Sequence, residues 1–230
     1  MWPFNRPKYS SIIILLFYDA WLMNIGNPYF WRCSTHDVLV PLYRRNVALN
    51  HCDIGCGTGY YLVHNSYYHN STVTLLDLEP DPLHVAKAGL ERVHKDLNIQ
   101  IQQHDILSHD PIPLSYQSQS TASEKYDSVS LTYLLHTLPV PPSEKIKVFS
   151  KLKKAIKSSG VVFGATVLGP SPCHSLAARI LLWILNLEKR LSNYADGVDI
   201  FVSGLEEHFA EVKAEVVGSV LIFEASVPKT

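Results

Sequence analysis

The chain has 230 residues, of which 47% are hydrophobic and 18% charged, with a formal net charge of −1. That length favours one domain with a full central sheet, and that balance excludes a mostly disordered chain. A charge so close to zero leaves no electrostatic footprint for nucleic acid or an anionic membrane, which points to a small-molecule partner.

In chain order, the first feature is the apolar run SIIILLF at 11–17. It is too short to span a bilayer and no small-residue cleavage site follows it, so it reads as a helix packed on the domain or over a ligand. NVALNHCDI at 46–54 is the first strand, the glycines after it form its exit turn, and YYLVHNSYY begins a short helix. Residues 71–78 are a second strand. Residues 80–97 open with prolines and carry Leu83, Ala86, Leu90, Val93 and Leu97 at near-helical spacing, which predicts a helix lying on a sheet. NIQIQQHDI alternates like a strand, and the Ser/Gln/Pro-rich stretch from 107 to 125 reads as a surface loop.

Residues 126–135 are a fourth strand, and 141–160 a helix with a Pro-Ser-Glu start and a Ser-Ser-Gly stop. A fifth strand follows at 161–169, then a helix at 174–191 that is apolar on more than one face. Two last strands, near 211–217 and 220–227, flank Gly218-Ser219 and suit a hairpin. Strands alternating with helices predict an α/β fold, a doubly wound, mostly parallel sheet of seven strands ending in an antiparallel hairpin. The expected organisation is one domain over 1–230, with 1–45 an N-terminal helical lid and 46–230 the core.

Four cysteines, Cys33, Cys52, Cys56 and Cys173, are too scattered for a disulfide framework, and the Cys52/Cys56 pair lacks a second pair to hold zinc. They read as reduced thiols of a cytoplasmic protein, and no metal is expected.

The segment HCDIGCGTGYYL at 51–62 sets Gly55, Gly57 and Gly59 at alternate positions. A dinucleotide turn wants G-x-G-x-x-G, but the third position falls on Tyr60 or Leu62, and the chain has no Gly-Lys pair for a phosphate loop. What remains is D-x-G-x-G-x-G, which lets backbone approach a ligand closely without demanding a pyrophosphate. Asp77, 24 residues beyond Asp53, closes the second strand, where a carboxylate can accept two hydrogen bonds from a ribose diol. Asp105 closes the third strand and suits the exocyclic amine of an adenine. Glycines and acids together describe a nucleoside site.

These features, HCDIGCGTGYYL, VTLLDLEPDPLHVAKAGL, QQHDIL, YDSVSLTYLLHTLP and LKKAIKSSGVVFGATVLG, resemble the ordered motifs of class I S-adenosylmethionine-dependent methyltransferases from about residue 43 to the C-terminus. YDAWLMNIGNPYFWRCST is similar to the lead-in of small fungal secondary-metabolite enzymes of that family. The resemblance implies a Rossmann-like fold and S-adenosylmethionine as cofactor, leaving S-adenosylhomocysteine as product. It implies that Asp53, Gly55, Gly57 and Gly59 surround the methionine part, Asp77 holds the ribose and Asp105 the adenine amine. Leu78 and Ile106, beside those acids, join the set, and residues 130–133 line the floor near the sulfonium.

Methyl transfer from a sulfonium asks the protein for alignment and for removal of a proton from the acceptor. His136 and His174, each following a strand, are candidate bases, and Tyr133 stands with them. Tyr18, Trp31 and Trp183 are candidate pocket walls, since aromatic faces attract a sulfonium. The apolar helix at 174–191 needs a cover: the N-terminal segment, an apolar substrate, or a second copy in a homodimer. The resulting expectation is O-methylation of a small lipophilic metabolite. Two rivals are a cyclase or pericyclase on the same scaffold without methyl transfer, and a non-enzymatic accessory subunit.

Overall fold

A computed structural model describes residues 22–116, 123–170 and 174–229. Its centre is β1 (Asn50–Ile54), a strand buried along its whole length, as befits a parallel strand with both faces covered. The chain then builds outwards through α3 (Tyr60–Val63), β2 (Thr72–Asp77), α4 (Pro80–Val93) and β3 (Asn98–Gln103), following α1 (Leu22–Trp31) and α2 (Val40–Asn46) at its start. It returns through β4 (Tyr126–Thr132), α5 (Lys147–Ala155) and β5 (Ile156–Val167), then passes α6 (Leu176–Leu187), α7 (Val198–His208), β6 (Phe209–Val217) and β7 (Val220–Pro228).

The seven strands lie in the order β3-β2-β1-β4-β5-β7-β6. β1 pairs in parallel with β2 and β4, and β7 runs antiparallel between β5 and β6. The direction of winding reverses between β1 and β4, and open α/β sheets bind ligands outside the carboxyl ends of strands at such a point. The expected Rossmann-like architecture with its C-terminal hairpin is therefore present.

Side chains alternate across each strand, so the sheet has two core layers. Leu42, Leu62, Leu83, Leu90 and Phe163 pack on one face, and Cys52, Ile54, Val129, Phe149 and Phe201 on the other. Leu83, Ala86 and Leu90 are the buried stripe of α4 on the face its spacing predicts, whereas Val93, expected there too, is 51% exposed and the helix ends before Leu97. Residues from α1 and α2, Met23, Trp31, Leu42 and Tyr43 among them, belong to the first layer.

Three features differ from the sequence reading. α5 stops at Ala155 and β5 begins at Ile156, so the expected Ser-Ser-Gly stop lies inside a strand. Pairing of Ile156 with Tyr126 across a register shift pulls these residues into the sheet, and a Cβ on Gly160 would fall 2.4 Å from Ile156. The loop after β3 contains a small antiparallel pair, Ser115–Tyr116 with Ser123–Glu124. Helix α7 was not expected, although Phe201 and Leu205, four apart, are buried against the sheet.

Candidate cofactor site

The turn leaving β1 is held in a conformation that only glycine adopts without strain. Gly55, Gly57 and Gly59 have φ of 72°, 52° and 73°, in the left-handed region that costs other residues roughly 1–2 kcal/mol each. A Cβ on Gly55 would sit 2.8 Å from Leu134, and one on Gly59 2.9 Å from Ala86, whereas one on Gly57 meets no atom within 4 Å. The first and third glycines let the turn pack against its own protein, and the middle one faces open space.

Asp77 ends β2 beside this turn. Its Oδ2 accepts from the Gly57 N–H at 3.5 Å and its Oδ1 from the Glu79 N–H at 3.1 Å. Burial raises its pKa, and the N–H groups of Glu79, Gly57 and Leu78 counter that. Leu78 next to it is 40% exposed, an apolar surface turned outward beside a carboxylate. Asp105, after β3, is exposed, and its Oδ1 accepts from the Leu107 N–H at 2.9 Å. Ile106 is buried in the second core layer. A glycine cradle with open space over it, an acid ending β2 and a second acid after β3 have the chemistry to fit an adenosine with an amino-acid tail.

Asp53 is the fourth element and is almost fully buried. Its Oδ1 accepts a short hydrogen bond from Ser130 Oγ and another from Tyr43 Oη at 3.2 Å. Burial pushes its carboxyl up to about 6, against the opposing pull of those two hydroxyls. The sequence reading passed over His51 and Tyr43, which also belong here. His51 stands opposite Ser128 and Asp53 opposite Ser130 in the β1/β4 register, so period-two alternation gathers all four side chains on one face. The available signal was His51 two residues before Asp53, a spacing that puts both side chains on one face of a strand.

The acceptor-side candidates distribute as follows. Tyr133 follows β4 with φ of 60°, a left-handed non-glycine residue of the kind that clusters at functional sites. Its N–H bonds the Ala165 carbonyl at 2.7 Å, and its ring meets the His136 ring edge-on at 5.5 Å. His136 is buried, and its Nδ1 accepts from the Val167 N–H at 3.1 Å, which leaves the ring proton on Nε2. Burial, with the Lys145 charge adding to it, lowers its pKa to about 3. His174 is buried just ahead of α6. Trp183 is 56% exposed on α6, whereas Trp31 is 3% exposed in the first core layer. Tyr18 and Cys173 lie outside the described residues, while Cys33, Cys52 and Cys56 are free and buried. Among the described residues no cluster of His, Cys, Asp or Glu has metal-holding geometry, and no helix is long and apolar enough to cross a membrane.

Residues 52–162 match the family model of the methyltransferase domain. The chain is 39% identical, over 94% of its length and 92% of the relative's, to the physcion biosynthesis cluster O-methyltransferase of Aspergillus chevalieri. It is 38% identical, over 86% of its length and 78% of the relative's, to an N-methyltransferase of Penicillium aethiopicum. In fold it is similar to the N-methyltransferase NodS from Bradyrhizobium japonicum, solved with S-adenosylhomocysteine, at a TM-score of 0.53 and 14% identity over 83% of this chain and 84% of that one. With the glycine turn and its acids in place at the sheet's switch point, the chain belongs to the S-adenosylmethionine-dependent methyltransferases.

Proposed function

We propose that this methyltransferase transfers the methyl group of S-adenosylmethionine to a hydroxyl oxygen of a small lipophilic metabolite in secondary-metabolite biosynthesis. The observation that carries the acceptor class is a groove of about 380 Å³ beyond the carboxyl end of β5, lined by the apolar residues Pro170, Leu176, Ile180, Leu182 and Trp183 together with Arg179 and Tyr194. It adjoins the acceptor-side residues, since the Ser192 N–H, two residues before Tyr194, bonds the His136 carbonyl at 2.8 Å. Oxygen as the acceptor atom is supported by the name of the Aspergillus chevalieri relative, and the Penicillium aethiopicum relative makes nitrogen the alternative to be tested.

The bound cofactor supplies an electrophilic methyl on a sulfonium. In this reading the residues of the chain do the rest. The turn at Gly55, Gly57 and Gly59 takes the methionine part with Asp53, Asp77 and Leu78 take the ribose side, and Asp105 and Ile106 take the adenine. Tyr133 and Trp183 wall the acceptor. His174 removes the acceptor proton and His136 orients the acceptor through Nε2–H, because its Nδ1 lone pair is already engaged by Val167. The enzyme works in the cytoplasm, a reading supported by three buried free thiols. The exposed apolar stripe of α6, with Leu176, Ile180, Trp183, Ile184 and Leu187 between 38% and 74% exposed, supports pairing of two copies.

Incubation with S-adenosylmethionine and matched panels of phenolic and amine metabolites, read by product mass, tests the activity. A phenolic product heavier by one methylene unit is expected. Turnover of a peptide or nucleic acid with none of the apolar acceptors would sink the proposal. Light scattering during size-exclusion chromatography tests the pairing, and a monomer at working concentration removes it.

A further inference from the structure

We infer that His51 and Ser130 are positioning residues: one directed chain of hydrogen bonds from β1 and β4 orients the Asp53 carboxylate toward the cationic amino group of the cofactor. The inference rests on the cofactor reading above and concerns residues that this reading leaves without a role.

With Asp53 ionised and able only to accept, the direction of the chain follows from its last member, since the single Ser130 proton goes to Asp53 Oδ1. The Ala48 N–H donates to Ser128 Oγ at 2.9 Å. That hydroxyl turns its own proton to His51 Nδ1, 2.8 Å away. His51 therefore carries its proton on Nε2 and donates it to Ser130 Oγ at 3.1 Å. Ser130 in turn donates to Asp53 Oδ1. Each hydroxyl is used once as acceptor and once as donor, so with Asp53 ionised and the ring neutral every group of the chain is satisfied in this sense. Burial keeps it neutral by lowering the His51 pKa to about 3.

Packing fixes the chain in place. The His51 ring stacks on Phe163 at 5.8 Å, and Tyr43 meets Phe163 edge-on at 5.2 Å while stacking on Tyr61 at 4.9 Å. Tyr43 adds a second hydroxyl to the same oxygen, Oδ1. Among the described residues none donates to Oδ2, so the donors converge on one oxygen and the other is left for a ligand cation. Donors gathered on one oxygen fix the plane of the carboxylate, and charge-assisted hydrogen bonds of this kind favour its ionised form.

The titratable groups facing Asp53 are Tyr43 from α2, His51 and Cys52 on its own strand, Cys56 in the glycine turn, Tyr67 after α3 and Asp77 from β2. Burial raises Tyr43, Cys52, Cys56 and Tyr67 and lowers His51, away from the range between pH 5 and 8, and leaves two carboxyls, Asp53, raised to about 6, and Asp77, raised as well. Ser130 touches only the first of them.

The test is the affinity for S-adenosylhomocysteine by calorimetry across that pH range, in the wild type and in Ser130→Ala, Ser130→Thr and His51→Leu, beside a carbon-13 NMR titration of the Asp53 carboxyl in the free proteins. Wild-type affinity is expected to fall about tenfold per pH unit below a midpoint near 6, the pKa to which burial pushes Asp53. Ser130→Ala and His51→Leu are expected to move both midpoints upward, and Ser130→Thr, which keeps the hydroxyl, to restore them. Wild-type binding with midpoints that do not move in the folded variants would overturn the positioning chain alone. A wild type without affinity at any pH would overturn the cofactor reading, and the inference with it.

Discussion

The carboxylate of Asp77, at the end of β2, reaches back to the backbone N–H of Gly57, 3.5 Å away in the turn after β1. Two segments twenty residues apart thereby share one hydrogen bond at the place where parallel strands present a ligand site. Asp77 ties the end of β2 to the turn.

Asp77→Ala is accordingly expected to weaken S-adenosylmethionine binding by one to two hydrogen bonds to a charged acceptor, on the order of 2–5 kcal/mol. Calorimetric titration at neutral pH checks this, with the thermal unfolding midpoint as a control for the fold. Unchanged affinity would remove Asp77 from the ribose site.

The glycines separate fold from binding. Gly59→Ala combines a left-handed φ with a contact at 2.9 Å to Ala86, so it is expected to cost more stability than the roughly 1–2 kcal/mol of the conformation itself. Gly57→Ala adds its methyl to open space, so only the conformational cost is expected, together with a loss of cofactor affinity of tenfold or more. Denaturant titration and calorimetry on both variants distinguish the two glycines.

Asp53 sets binding against stability. A carboxyl whose folded pKa is about 6 against an ordinary value of 3.8 stabilises the fold below pH about 4 and loses that contribution as pH rises through about 6. At pH 8 its ionised form costs the free protein on the order of 3 kcal/mol. Asp53→Asn is therefore expected to raise the unfolding temperature of the free protein at pH 8 while weakening cofactor binding. A melting curve at pH 8 that falls below the wild type contradicts this.

Lys145 and Asp196 form an ion pair at 2.7 Å with both side chains fully buried, and Lys145 also donates to the Ser192 carbonyl at 2.7 Å. The pair ties the segment after α6 to the turn entering α5. Lys145→Met leaves a buried carboxylate uncompensated and is expected to destabilise by about 3–5 kcal/mol, much of it recovered in Lys145→Met/Asp196→Leu. Urea unfolding of the single and double variants checks the recovery.

Much of this architecture is legible in the sequence. The glycine spacing, the acids at the strand ends and the alternation of strands with helices are local patterns, and Asp53, Asp77 and the turn stand where those patterns put them. Features that depend on partners far along the chain were not legible. Ser-Ser-Gly at 158–160 has the local chemistry of a helix stop, yet pairing with β4 draws it into β5. Helix α7 was missed because its buried stripe, Phe201, Gly204 and Leu205, is short and contains a glycine.

By itself the sequence determined the turn after β1 and the acids at the strand ends, because a left-handed turn needs glycine wherever the chain runs and strand ends follow from local pattern. Only the tertiary structure decided which polar residues act together. His51, Ser130 and Tyr43 meet at Asp53 because the β1/β4 register sets Asp53 opposite Ser130 and because α2 lays Tyr43 over both strands. Burial then raises one carboxyl and holds one imidazole neutral, since desolvation depends on what surrounds a group in space and not on its neighbours in the chain.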